Sequence, residues 1–126
     1  MKFIFGGAYQ GKYDWVKARY EIEDERIFVC SDKDPQISFD CDVIYGMEKF
    51  VLACSRSGTD AEKYLRASRE ELEDKIIVCT DISQGVVPEE KQQRQWRENS
   101  GRIMTYLAYE AEEVIRIFCG LEQRLK

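Results

Sequence analysis

Apolar residues gather in five short runs, and the stretches between them repeat at helical rather than strand spacing. Lys2–Phe5, Arg26–Cys30, Val43–Tyr45, Lys75–Thr80 and Val114–Cys119 each read as a strand. The run at 75–80 is almost wholly apolar and β-branched, the pattern of a strand buried on both faces of a parallel sheet, so it is placed centrally. Asp14, Trp15, Val16, Ala18, Arg19 and Tyr20 suit a helix after the first strand. Thr59 with Glu62 three residues on has the form of a capping box, and Ala61, Tyr64, Leu65, Ser68 and Leu72 follow at helical spacing. Pro88, Glu89 and Glu90 suit a helix start. From Pro88 to Glu113 the chain reads as helical with an interruption at Asn99-Ser100-Gly101, and Gly120 ends the last strand. Strands alternating with helices predict an α/β fold with a mainly parallel sheet, which binds ligands at the carboxyl ends of its strands. At 126 residues a single domain spanning 1–126 is expected.

The first strand breaks into Gly6-Gly7-Ala8-Tyr9-Gln10-Gly11-Lys12, with the form Gly-x4-Gly-Lys of a phosphate-binding loop. Such loops cradle phosphates with backbone N–H groups, reach the outer phosphates with the lysine, and hold Mg²⁺ with a following Ser or Thr. Here that hydroxyl position is Tyr13. Gly6, Gly7, Ala8, Gly11, Lys12 and Tyr13 are the candidate nucleotide-binding residues, and the fold expected is P-loop NTPase-like, of the RecA-like kind. The plainer reading of Lys12 is a solvated lysine after a glycine turn. Tyr9, Tyr13 and Trp15 are expected to cluster beside the loop, in the space a nucleotide would occupy. Asp81 follows the central strand, where it is either a catalytic carboxylate or a turn cap. Arg94 and Arg97 read first as a solvated face and second as phosphate contacts. Trp96 reads as core or subunit interface.

Composition narrows the chemistry. The chain has no histidine, which removes the commonest general base and excludes Ser-His, Cys-His and His-zinc sites. Its five cysteines form no C-x-x-C pair and read as reduced, buried thiols, so no residue is assigned as a metal ligand. A net charge of −5 with scattered basic residues argues against nucleic acid. No apolar run reaches membrane-spanning length and no leader pattern opens the chain, so a cytoplasmic protein is expected.

The segment Ile76 to Glu89, with Thr80-Asp81 and Gly85-Val86-Val87-Pro88-Glu89, followed by Arg94, Arg97, Gly101 and Ala111 to Lys126, resembles the C-terminal part of the bifunctional adenosylcobinamide kinase/adenosylcobinamide-phosphate guanylyltransferase family. That family reads Val-Thr-Asn-Glu-Val-Gly-x-Gly-Ile-Val-Pro-Glu there, and its loop Gly-Gly-Ala-Arg-Ser-Gly-Lys-Ser resembles Gly6 to Tyr13. The resemblance implies ATP or GTP as cofactor, a phosphate-bearing small molecule as partner, a role in cobalamin biosynthesis and a homo-oligomer. It also exposes departures. The family passes GMP through a histidine, which this chain lacks. Tyr13 replaces the loop serine that holds Mg²⁺, and the strand that should end in a Mg²⁺-side acid ends in Tyr45-Gly46-Met47, leaving Glu48 to substitute if the register shifts. Asn-Glu has become Thr80-Asp81, and a later Asn-Gln pair has become Met104-Thr105. Phosphoryl transfer rests on positioning and metal-assisted charge stabilisation, so these changes strike one system. Three readings stay open: a divergent kinase with Glu48 and Asp81 as catalytic carboxylates, a non-catalytic member that still binds nucleotide or phosphate, and a structural relic.

Overall fold

The computed structural model describes residues 1–83 and 89–126. Six strands form one sheet in the order β2-β3-β4-β1-β5-β6. They are β1 (Lys2–Gly6), β2 (Ile27–Val29), β3 (Val43–Tyr45), β4 (Ile76–Thr80), β5 (Glu113–Phe118) and β6 (Leu121–Arg124). All pairings are parallel except β5 with β6. Helices α1 (Lys12–Tyr20), α2 (Met47–Ser57), α3 (Ala61–Ala67), α4 (Arg69–Leu72) and α5 (Lys91–Glu110) complete the expected α/β, P-loop-like architecture of a mainly parallel sheet flanked by helices. No described helix is long and apolar enough to cross a membrane.

Strand alternation divides the core in two. Ile4, Val43, Val78, Ile115 and Ile117 point to one face and pack with Val16 of α1. Phe3, Ile44, Ile77, Cys79 and Val114 point to the other, against Phe50, Val51 and Cys54 of α2 and Ile103 and Leu107 of α5. Full burial of Phe50 alone contributes about 2–3 kcal/mol of transfer free energy. β4 sits between β3 and β1, which explains its unbroken apolar run.

Several expectations needed correction. α2 was not anticipated, although Met47, Phe50, Val51 and Cys54 are spaced as one helical face and all are buried. The cap of α3 is Asp60 rather than Thr59: the Asp60 carboxylate accepts the Lys63 N–H at 3.1 Å, while the Thr59 hydroxyl pairs with Ser57 at 2.9 Å. The helical run after it breaks at Ser68 into α3 and α4. α5 passes unbroken through 99–101, because packing of Ile103, Tyr106 and Leu107 outweighs the roughly 1 kcal/mol that Gly101 costs in a helix. Pro88 and Gly85 lie outside the described residues. The last strand stops at Phe118; Cys119 and Gly120, both at positive φ, form a two-residue turn into β6, as hairpin twist favours. Cys119 is therefore exposed, unlike the other four cysteines. β6, Leu-Glu-Gln-Arg, offered no apolar run to detect.

Gly6, the last residue of β1, shows how closely the strands beside the loop approach. A Cβ built there would lie 2.4 Å from the Ile117 carbonyl oxygen. Backbone rather than a flexible side chain would have to yield, so Gly6→Ala should destabilise the protein by about 3 kcal/mol, the upper end of overpacking costs, in urea unfolding. A loss below about 0.5 kcal/mol would show that the contact is softer than this geometry requires.

Candidate functional site

The carboxyl ends of β1, β3 and β4 meet at one edge of the sheet. Gly6 stands in register with Thr80, Tyr45 with Val78, and the Asp81 N–H donates to the Gly6 carbonyl at 2.8 Å. From this edge the loop 7–11 leads into α1. Tyr9 (φ 59°) and Gly11 (φ 85°) both take left-handed backbone, the conformation that curls successive N–H groups into an anion-binding concavity. Gly11 is the N-cap of α1 and has no side chain with which to satisfy the first-turn donors, which leaves them for an anion.

Lys12 opens α1 and turns back under the loop. It is only 4% exposed, and its ammonium donates to the Gly7 carbonyl at 2.6 Å. The solvated-lysine reading is thereby excluded. Burial lowers its pKa from the ordinary 10.5, and the negative charge of Glu48 pulls it partly back up. Glu48, the second residue of α2, is 7% exposed. Its carboxylate accepts the Thr80 N–H at 2.9 Å, and its backbone carbonyl accepts the Trp96 indole N–H at 2.8 Å. One acidic residue thus joins α2, the end of β4 and α5. Beside it the Cys79 thiol is pushed well above its usual pKa, by burial first and by Glu48 second, so it stays protonated.

The expected aromatic cluster does not form. Tyr9 is fully exposed, while Trp15 meets Tyr20 edge-on, ring centres 6.0 Å apart. Tyr13 meets Tyr45 at 5.2 Å and donates its hydroxyl to Asp24 at 2.6 Å. Lys17 reaches the same Asp24 oxygen at 2.7 Å, so the Asp24 pKa falls, chiefly through Lys17 and then Tyr13, while the Tyr13 phenol is raised by its bond to Asp24. The three side chains diverge: Tyr9 stands in solvent, and Tyr13 and Trp15 leave α1 toward different neighbours.

Asp81 caps a turn: its carboxylate accepts both the N–H (2.9 Å) and the hydroxyl (2.5 Å) of Ser83. Arg97 donates to the Ser83 carbonyl and Arg94 to the Glu89 carbonyl. Glu48 thus meets the backbone of Thr80, and Asp81 follows Thr80 in the chain. The donors do not fit the Mg²⁺ site that a phosphate loop usually builds, because the phenol in the hydroxyl position is committed to Asp24. Among the described residues no three His, Cys, Asp or Glu side chains gather as a cation site.

One contact went unread in the sequence. Gln10, at the loop's far end, accepts the Gly120 N–H on its carbonyl (2.9 Å) and the Cys119 N–H on its side-chain oxygen (2.6 Å). The β5–β6 turn thus fastens the loop from 109 residues away in sequence, beyond any local pattern. One groove lined by Cys54, Asp60, Asn99 and Arg102 and another by Met1, Arg69, Glu73 and Glu110 lie away from this edge.

The sequence profile of the family described as cobinamide kinase / cobinamide phosphate guanyltransferase matches residues 26–125. The matched span takes in Glu48, Asp81 and α5 and begins after the loop. No curated protein matches the chain.

Because the Glu48 carboxylate holds a buried N–H and faces a buried ammonium, its loss should register in stability. Glu48→Leu should cost about 2–3 kcal/mol in urea unfolding at pH 7, and Glu48→Gln, which keeps an acceptor for Thr80, roughly half of that. Equal losses in the two variants would mean that hydrogen bonding and charge at this position do not matter, only its packing.

Proposed function

Since the chain belongs to the cobinamide kinase / cobinamide phosphate guanyltransferase family, a family of cobalamin biosynthesis, we propose that it binds the phosphates of a nucleotide, ATP or GTP, on Gly6, Gly7, Ala8, Gly11, Lys12 and Tyr13. Binding is weak and nearly independent of Mg²⁺, and the family's guanylyl transfer is lost. The observation that carries this reading is the buried Lys12 ammonium resting on the Gly7 carbonyl. A buried cation whose one hydrogen bond is to a neutral carbonyl gains more from a phosphate oxygen than a solvated lysine would, since the lysine's own dehydration is already met by folding. An arriving phosphate takes the place of the Gly7 carbonyl at Nζ. The free N–H groups at the start of α1 and along the loop supply the remaining bonds.

Guanylyl transfer through a histidine has no residue to carry it in this chain. The chain would offer a nucleotide-borne Mg²⁺ no loop hydroxyl, because the Tyr13 phenol is held by Asp24, so the metal would add little to affinity. Glu48 here holds Thr80 and balances Lys12. A second reading, a kinase in which Glu48 and Asp81 hold or orient the metal, is favoured by one fact alone: Glu48, whose charge acts on Lys12, accepts the N–H of Thr80, the residue before Asp81.

Titration calorimetry separates these readings. Wild-type protein should bind ATP, GTP and inorganic pyrophosphate with Kd on the order of 0.1–1 mM, changed less than about threefold by Mg²⁺, and Lys12→Ala should weaken binding at least about tenfold, or 1.4 kcal/mol. Tyr13→Ser should raise the Mg²⁺ dependence. Strong enhancement of wild-type binding by Mg²⁺, or Mg²⁺-dependent turnover, would establish the kinase reading, and no binding at all the relic. Incubation with radiolabelled GTP should leave the denatured protein unlabelled.

A further inference from the structure

Gln10 stands where two stretches of left-handed backbone meet. Within the loop it lies between Tyr9 (φ 59°) and Gly11 (φ 85°), and across the contact Cys119 (φ 52°) and Gly120 (φ 74°) make the β5–β6 turn. Tyr9 and Cys119 carry side chains, so each holds a conformation that its own backbone disfavours. One residue steadies both. The Gln10 carbonyl accepts the Gly120 N–H at 2.9 Å, and its side-chain oxygen accepts the Cys119 N–H at 2.6 Å. Packing follows the same line: a Cβ built on Gly11 would lie 3.5 Å from the Gly120 Cα, and one built on Gly7 would lie 3.7 Å from the Gln10 Cγ. Gly7 is the residue whose carbonyl holds the Lys12 ammonium. Contacts therefore run without a gap from the turn, through Gln10 and Gly7, to the buried cation.

We propose that Gln10 is the positioning residue of the phosphate loop and that, through it, the β5–β6 hairpin controls anion binding. The inference rests on the phosphate reading above and adds the regulation of that site. An anion is held by successive loop N–H groups curled toward one point, and that curl needs Tyr9 in the left-handed region. The two Gln10 bonds supply what the preference of Tyr9 withholds. Gln10 acts through the loop's shape, since its side-chain oxygen is turned to the hairpin. Closed turn and curled loop form one state, open turn and relaxed loop the other. An anion that binds only the first draws the turn shut, and by the same coupling whatever opens the turn releases the anion. The device belongs to this chain and not to the loop motif. Gln10 fills one of the four unspecified positions of Gly-x4-Gly-Lys, and its partner Cys119 lies 109 residues away.

Amide hydrogen exchange of the full chain, read residue by residue by NMR beside calorimetry at constant ionic strength, tests it. An amide that exchanges through opening of the turn slows by the factor 1 + [L]/Kd when the ligand binds only the closed state. With inorganic pyrophosphate at about ten times its measured Kd, the Cys119 and Gly120 amides should therefore exchange about tenfold more slowly. The Lys63 amide, likewise held by a side-chain oxygen, that of Asp60 at 3.1 Å, serves as the control and should change less than about twofold. In Gln10→Gly the Cys119 amide of the free protein should exchange at least about fivefold faster, the worth of one net hydrogen bond, and pyrophosphate should bind at least about threefold more weakly. Circular dichroism confirms that the variant is folded. Pyrophosphate that binds wild type but slows the two turn amides no more than Lys63, or a Gln10→Gly variant that binds it as wild type does, would overturn this inference and leave the phosphate reading intact. Wild-type protein that binds no pyrophosphate would overturn the phosphate reading and this inference with it.

Discussion

A buried ammonium at the end of a parallel sheet organises the rest of this molecule. Lys12 is carried out of water by the packing that makes the fold: α1 lies on one face of the sheet and α2 on the other, and the loop between β1 and α1 closes over the lysine. A charge in that position is costly unless it is held. The Gly7 carbonyl supplies a hydrogen bond and Glu48 an opposing charge, and Glu48 is itself fixed by the Thr80 N–H below it and by Trp96 of α5 through its backbone. Gly6 must be glycine for β1 to come this near to β5, and Gln10 ties the loop to the neighbouring hairpin. These contacts converge on one requirement, a loop that holds its shape around a desolvated cation.

That requirement bears on the phosphate binding proposed above. Anion binding at such a loop rests on backbone and lysine, which depend on loop curvature and helix start more than on particular side chains. Metal binding depends on side chains at fixed positions, and Tyr13 stands where a phosphate loop usually carries a small hydroxyl. Tyr13 has a structural task of its own: with Lys17 it holds Asp24, a contact that braces α1 against the turn before β2. Glu48, read as a candidate replacement for a catalytic acid, accepts the Thr80 N–H on its carboxylate.

Much of the fold was legible because β4, β1 and β5 are buried on both faces and their apolar runs have no other explanation. The Gly-x4-Gly-Lys pattern located the loop for a similar reason, since its geometry is written in consecutive residues. What escaped was non-local or polar. β6 is stabilised by pairing with β5 rather than by its own composition. The Asp60 cap was missed because Thr59 beside it fits the capping box equally well. The supposed break in α5 came from weighing Gly101 by propensity, whereas the burial of its neighbours decides the matter. The aromatic cluster failed because Tyr13 and Trp15, two apart on a helix, fall on different faces, while Tyr9 lies on the loop before the helix and stands in solvent. Gln10 and Trp96 join the site through contacts with residues far away in the chain.

The titration of Lys12 itself bears most directly on this account, followed by the ¹⁵Nζ and side-chain ¹³C shifts of the labelled protein. In the free protein burial disfavours the charged form, so the ammonium should lose its proton below the ordinary 10.5. The fold should accordingly gain stability as pH rises through the window between that lowered value and 10.5. Saturating pyrophosphate favours the charged form and should move the titration upward, by about one pH unit for each tenfold by which the protonated lysine binds pyrophosphate more tightly than the neutral one. A Lys12 that titrates at 10.5 in the free protein, or one whose titration pyrophosphate leaves unmoved, would contradict the central claim.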